Sequence, residues 1–591
     1  MALFQKRTHN CGSLRTEDSG EKVILNGWVA TVRDLGGLFF IDLRDRYGIT
    51  QLFIHPEDSP ALVERARQLK SEFVIWASGT VCMRENPNPK IPTGLIEILL
   101  EDFDIINRSE LPPFEIINDI TTAEDLRLKY RYLDLRRPDL QKNFIMRNLV
   151  YQVTHNYFAE NDFLEIETPV MMKSTPEGAR DFLVPSRINK GRFYALPQSP
   201  QIFKQILMVA GFDRYMQIVK CFRDEDLRSD RQFEFTQIDI EMSFIEREDI
   251  FSLIEGFFVR LWKETLGIEV EAPFLQMSYN EAMTRYGSDK PDLRFGLEIN
   301  TITDLVSNSE FKVFSDIVQS KGEVALINAK GCAGYSRKQL DELTEFAKKY
   351  GAKGLAWIKF SGGVVNSPIS KFLSESEIEK IMKAAGCEEG DLLLISSDTW
   401  HRCYTILGAV RLEIARRTGI LEQVKNQYSF LWVTDFPLLE YDAESGRFIA
   451  MHHPFTSPVD EDIPLMDTAP EKVRAKAYDI VLNGSEVGGG SIRIHRGDIQ
   501  KRMFELLGFT PEDADAKFGF LLDALKYGAP PHGGIALGLD RITMLLLGTD
   551  NIRDVIAFPK TTSGLSLMDG SPSYVDEAQL KELGIGIIKN E

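Results

Sequence analysis

A chain of 591 residues, 43% hydrophobic and 27% charged, is long enough for several domains with separate cores. Its formal charge of −19 excludes indiscriminate binding of nucleic acid, so any RNA contact must be local and shaped. No run approaches about 18 apolar residues, the opening MALFQKRTHN has no apolar core of signal-peptide length, and the six cysteines lack Cys-x-x-Cys spacing; a cytoplasmic protein is expected, with no membrane partner, zinc ribbon or disulfide frame.

Residues 21–110 read as short strands, Val23–Val32, Leu38–Asp42, Thr50–Ile54, Val74–Met83 and Leu95–Leu100, with a helix near Ala61–Leu69. Five strands with a helix between the third and fourth predict an OB-type barrel over 1–112. Phe39 and Phe40 are adjacent on a strand, so one is core and the other faces out. Paired prolines at 112 and 113 mark a boundary, and 113–138 reads as a hinge. A helix over Leu140–Glu160 carries Met146, Val150, Val153 and Tyr157 at helical spacing. It leads into Phe163–Val170, which contains Pro169. Pro200 can open a helix that sets Gln201 and Lys204 one turn apart.

Two strand-like runs, Tyr215 to Glu225 and Phe235 to Met242, flank a charged loop that lacks the Asn-Gly of a tight hairpin. Alternation puts Phe235, Gln237, Asp239 and Glu241 on one face and Thr236, Ile238, Ile240 and Met242 on the other. Arg223 and Glu225 likewise share a face. An antiparallel hairpin with one wet face is the plain reading of this pattern; a polar ligand site is the other. Residues 289–425 have strands and helices of their own and read as an inserted α+β domain between 139–288 and 426–560, with 561–591 as an extension. A helix is predicted near Lys472–Leu482. His452 and His453 have no third metal ligand spaced nearby. Gly488, Gly489 and Gly490 let the backbone pass close to a ligand or make a tight turn. Ser491, Arg493 and His495 fall on one strand face. Arg541 sits in the first turn of an apolar helix, the wrong end of the macrodipole unless an anion or a stacked ring lies there.

Arg223-x-Glu225 ahead of Phe235-Thr236-Gln237-x-Asp239 resembles motif 2 of the class II aminoacyl-tRNA synthetases. Phe163–Val170 with its helix resembles motif 1, and Gly533–Arg541 resembles motif 3. The segment Arg33–Asp45 is similar to the anticodon-binding barrel of the aspartyl enzymes. Met277–Gly296 looks like the lead-in to the insertion of the bacterial type. The ordered set covers nearly the whole chain, which is identified as a member of the bacterial-type aspartyl-tRNA synthetases.

The resemblance implies a multidomain protein: an OB barrel, an α+β catalytic domain on an antiparallel sheet, and the insertion. It implies ATP-dependent activation of L-aspartate and transfer to the 3′-terminal adenosine of tRNA(Asp), by a homodimer formed through motif 1. Arg223 and Arg541 are the implied catalytic residues. Glu177, Gln201, Lys204, Arg223, Asp239, His452 and Arg493 would bind aspartate. Arg223, Asp224, Glu225, Gln232, Phe235, Glu486, Gly538, Leu539, Asp540 and Arg541 would bind ATP, with adenine between Phe235 and Arg541. Asp479 and Glu486 would hold Mg²⁺ on the phosphates, and Arg33, Phe40 and Gln51 would meet the anticodon. Two alternatives stand: a non-discriminating form that also charges tRNA(Asn), a choice on which Leu35 bears, and an inactive paralogue that binds RNA. The second should lack one of Arg223, Glu486 or Arg541, and all three are present.

Overall fold

The computed structural model describes residues 4–36, 38–55, 57, 60–175 and 179–588. Two compact units divide the chain, Met1–Asn148 with Arg553–Tyr574, and Leu149–Ile552 with Val575–Glu591.

In the first unit the strands Lys22–Leu35, Leu38–Asp45, Gly48–Ile54, Ile96–Asn107 and Val74–Met83 close, in that order, into a barrel. The helix Pro60–Ala66 lies between the third and fourth strands of the sequence, as expected. The barrel fills because alternate residues point inward: Val23, Leu25, Val29, Ile41, Leu43 and Leu52 are buried in one cluster. Phe39 belongs to that core, while Phe40 is half-buried outside and stacks on Phe53 at 5.2 Å. The segment after the barrel forms the short helices Glu124–Lys129 and Arg131–Asp134. Arg136 joins it to the barrel by an ion pair to the buried Glu72, 2.8 Å, which also takes Arg44.

The second unit is built on an eight-stranded sheet in the order Leu275–Ser278, Phe430–Thr434, Ala477–Leu482, Ser485–Ile492, His532–Gly538, Glu234–Ser243, Arg214–Phe222 and Leu164–Glu165. Both outermost pairings are parallel and the rest are antiparallel. The helix predicted near Lys472–Leu482 is not there: Ala477–Leu482 is a central strand, buried at every position. A strand covered on both faces loses its alternation, and Tyr, Ile and Val favour the extended form. The strand Ser485–Ile492 also ends sooner than expected, so Arg493 and His495 lie beyond it.

The helix Pro138–Glu160 buries Val150 and Val153 and half-buries Met146 and Tyr157. Leu164, Val170 and Met171 are about half exposed, and Pro169 is exposed. Within 289–425 a second sheet runs Ile299–Thr301, Glu323–Ala329, Leu392–Asp398, Ala356–Ser361 and Val364–Asn366, packed against the helices Arg337–Lys348 and Trp400–Arg417. Among the described residues no helix is long and apolar enough to cross a membrane.

Candidate active site

The four antiparallel strands from Ala477–Leu482 to Glu234–Ser243 floor a cavity of about 580 Å³, closed at one end by the helix Gln201–Val209. Pro200 caps that helix, and its first turn faces inward, so Gln201 and Lys204 are buried. Lys204 is only 1% exposed; its Nζ lies 2.9 Å from Asp239 Oδ2 and 3.3 Å from Glu241 Oε2. Arg493, 2% exposed, donates from Nε and Nη2 to the two oxygens of Glu241 at 3.0 and 3.1 Å. Its Nη1 donates to Ser491 Oγ at 2.6 Å and meets His453 Nε2 at 2.7 Å. Gly534 has a plain reason to be glycine: a Cβ there would stand 2.1 Å from Glu241 Oε2. Motif 3 thereby clears the path along which Glu241 reaches Arg493.

Burial pushes the Asp239 carboxyl up to about 6, although Lys204 beside it pulls the other way. Burial also acts to raise Glu241, but Arg493 and Lys204 outweigh it and hold the group below the usual range. His453 is pushed well below its ordinary value by burial and then by the Arg493 charge, so it is a neutral acceptor. Among the described residues, Asp239 Oδ1 and Gln201 Nε2 are buried with no hydrogen-bond partner. An orphaned acceptor and an orphaned donor beside two buried cations call for a small ligand carrying both charges.

At the other end Arg223 lies over the Phe235 ring at 5.1 Å. Arg541 Nη1 donates to the Glu486 carbonyl at 2.5 Å, and its Nη2 is 3.5 Å from Asp230 Oδ2. Glu225, Gln232, Gly538 and Asp540 also line the cavity. Asp479 and Glu486 come together over Gly489, where a Cβ would meet Asp479 Oδ1 at 2.7 Å and Glu486 Oε1 at 3.7 Å. The Asp479 charge, with burial behind it, raises the Glu486 carboxyl. Two hard oxygen donors that repel one another suit a divalent ion sharing its shell with phosphates and water. Among the described residues no three His, Cys, Asp or Glu side chains are arranged to hold a metal by themselves.

Most of the sequence-predicted site residues therefore share one cavity, with exceptions. Glu177 lies outside the described residues. Asp224 turns to Arg180, Leu539 is fully buried, and neither lines the cavity. His452 lines it but stands 3.8 Å from Asp479, whereas the adjacent His453 touches Arg493. His453 and Asp289 line the cavity and Ser491 accepts from Arg493, three placements that no local sequence pattern marks. The alternation that picked out Asp239 also marked Glu241, without showing that it holds Arg493. In the barrel, Gln51 is fixed on three sides: Arg33 and Arg84 donate to its Oε1 at 3.1 and 2.9 Å, and its Nε2 donates to Glu97 at 2.6 Å.

The model of the family described as tRNA synthetases class II (D, K and N) matches residues 123–562. The chain belongs to that family. An OB-fold nucleic acid binding domain matches 23–106. An aspartate–tRNA(Asp/Asn) ligase of Caldanaerobacter subterraneus subsp. tengcongensis is 56% identical over 98% of this chain and 98% of its own. An aspartate–tRNA ligase of Ruminiclostridium cellulolyticum is 54% identical over 99% of this chain and 98% of its own. The asparaginyl-tRNA synthetase of Pyrococcus horikoshii, solved with asparaginyl-adenylate, shares the fold: TM-score 0.59 at 19% identity, covering 94% of this chain and 98% of that one.

Proposed function

We propose that this synthetase is an aspartate–tRNA ligase, which activates L-aspartate with ATP and passes it to tRNA(Asp). The observation that carries the amino-acid choice is the buried cluster of Lys204, Arg493, Glu241 and Asp239, with Asp239 Oδ1 left without a partner among the described residues. The substrate's side-chain carboxylate suits Lys204 and Arg493, and its ammonium suits Asp239. Gln201 offers Nε2 to a carboxylate oxygen. His453 acts by orienting Arg493, and His452, which lines the cavity 3.8 Å from Asp479, is a further contact for aspartate.

ATP takes the other end, with adenine between Phe235 and Arg541 and Glu225 at its edge. The α-carboxylate of aspartate attacks the α-phosphorus, the bond to the bridging oxygen breaks, and pyrophosphate leaves aspartyl-adenylate behind. The terminal 3′-hydroxyl of tRNA then takes the aspartyl group and AMP departs. Arg223 neutralises charge that grows on the α-phosphate oxygens, and no protein nucleophile is needed. Mg²⁺, held by Asp479 and Glu486, would supply further charge neutralisation on the phosphates.

Aminoacylation of purified tRNA(Asp) and tRNA(Asn) tests the reading. Charging of tRNA(Asp) is the expected result; charging of neither would refute it. Charging of both would favour the non-discriminating form, which the names of relatives 56% identical support.

Asp239 predicts a pH dependence. Its carboxyl is raised to about 6, so below that pH it holds a proton and cannot pair with an ammonium. Free aspartate keeps both carboxylates ionised down to about pH 4. In pyrophosphate exchange, kcat/KM for aspartate should therefore fall as pH drops through about 6, and Asp239→Asn should flatten that limb. A wild-type profile level from about pH 5 to 7 would remove Asp239 from the amino end.

The barrel and the adenylate site should be separable by mutation. Phe40→Ala should leave pyrophosphate exchange near wild type, because adenylate formation needs no tRNA. Aminoacylation should fall about 5- to 150-fold in kcat/KM, the worth of one base stack. Equal losses in both assays would make Phe40 a folding residue.

The exposed Leu164, Pro169, Val170 and Met171 support a homodimer through motif 1. Sedimentation as a fully active monomer at micromolar concentration would exclude it.

A further inference from the structure

The lead-in to the inserted sheet enters the cavity as well as passing it. Asp289 is among the cavity-lining residues, and the next residue, Lys290, lies within 4 Å of two carboxylates. Its Nζ lies 3.7 Å from Asp289 Oδ1 and 3.9 Å from Glu486 Oε2. Both separations are too long for hydrogen bonds, so the ammonium is attracted without being locked and keeps its donors for an anion. With its side chain 45% exposed, it can turn to meet one.

The backbone behind Lys290 is fixed with unusual completeness. Arg411, from the helix Trp400–Arg417, is 1% exposed. Its Nη2 donates to the carbonyls of Asp292, Phe295 and Gly296 at 2.7, 2.9 and 3.0 Å. Its guanidinium lies over the rings of Tyr286 and Phe295 at 5.0 and 4.2 Å. Asp292 in turn pairs with Arg294 at 2.7 Å. A Cβ built on Gly484, two residues before Glu486, would meet Asp292 Cβ at 3.1 Å. The clamped loop and the turn carrying Glu486 are thus in contact. Burying a guanidinium is costly, and burial pulls Arg411 down to about 10. That cost is met in order to hold three carbonyls of one loop.

We propose that the inserted segment serves the nucleotide end of the site: Lys290 is a further contact for the phosphate tail of ATP, and Arg411, which touches no substrate, is the positioning residue that holds Lys290 there. The inference rests on reading the cavity as an ATP site. It gives the insertion a direct part in adenylate formation, separate from any contact with tRNA.

The test compares wild type with Lys290→Met, Arg411→Met, Arg411→Lys and the Lys290→Met/Arg411→Met double variant. Binding of Mn²⁺·ATP is measured by calorimetry without aspartate, and KM for ATP and for aspartate by pyrophosphate exchange. Lys290→Met should weaken Mn²⁺·ATP binding about 5-fold, the worth of one partly exposed charge contact. Arg411→Met should weaken it by up to the same factor, Arg411→Lys less, and KM for aspartate should stay level in all four. Because Arg411 acts through Lys290, the double variant should lose little more than Lys290→Met alone. Additive losses, or unchanged ATP binding in Lys290→Met, would overturn the proposal. If Arg411→Met fails to fold, Lys290→Met, at a half-exposed position, decides by itself. Wild type that bound no Mn²⁺·ATP would sink the reading of the cavity; wild type that bound it, with no effect of Lys290→Met, would sink only this inference.

Discussion

Arg493→Ala should raise KM for aspartate, or lower kcat/KM, by about 30-fold to several-thousand-fold in pyrophosphate exchange, with ATP binding little changed. That range is the roughly 2–5 kcal/mol lost when one partner of a desolvated charge pair is removed. The structure adds a complication. Arg493 is also the hydrogen-bonded partner of Glu241, which is fully buried, so alanine leaves that carboxylate with Lys204, 3.3 Å away, as its remaining cation. Removing one partner of a buried ion pair costs up to about 3–5 kcal/mol of stability, and Lys204 offsets part of that here. Arg493→Ala should therefore melt earlier than wild type. Glu241→Gln in the same chain should restore part of the stability without restoring aspartate use. If the double variant recovered both, the loss would be one of folding, and Arg493 would not read the substrate. If KM for aspartate barely moved in a folded Arg493→Ala, the same conclusion would follow.

Arg223→Ala should lower kcat for adenylate formation by about 10²- to 10³-fold, the usual loss when one donor aimed at developing charge is removed. Among the described residues Arg223 forms no salt bridge; its guanidinium rests on Phe235, a surface that orients it without neutralising it. Its removal should accordingly leave thermal stability near wild type, in contrast to Arg493→Ala. Arg223→Lys keeps the charge but loses the planar fork, and should recover only part of the rate. Stopped-flow or rapid-quench measurement of adenylate formation separates this from substrate binding. An effect confined to KM for ATP would make Arg223 a ground-state contact.

The barrel was legible because each of its strands has one face inside and one outside, so alternation survives in the sequence. Phe39 and Phe40 illustrate this: adjacent on one strand, they take opposite faces. The strand bearing Asp239 is buried on both faces, and it was legible because one face is polar, toward the cavity, and the other apolar. Ala477–Leu482 was not, because it is buried on both sides and its pattern fits a core helix equally well. Asp479 nevertheless reaches the cavity from it, as a lone carboxylate in an apolar run.

Partnerships between distant residues were the least visible. Glu241 and Arg493 are 252 positions apart, and Arg411 and Asp292 are 119 apart. No local pattern marks either pair. His453 and His452 are neighbours with the same side chain, and only geometry separates the one at Arg493 from the one at Asp479.

The central claim is that the buried cations select a substrate with a negatively charged side chain. Amino-acid-dependent ATP–pyrophosphate exchange, run on the purified full chain with aspartate and with asparagine, tests it most directly. The two substrates differ little in size, so discrimination has to come from charge left paired or unpaired at Lys204 and Arg493. The expected result is robust exchange with aspartate and exchange lower by about 10²-fold or more in kcat/KM with asparagine. Comparable exchange with both, or a preference for asparagine, would contradict it.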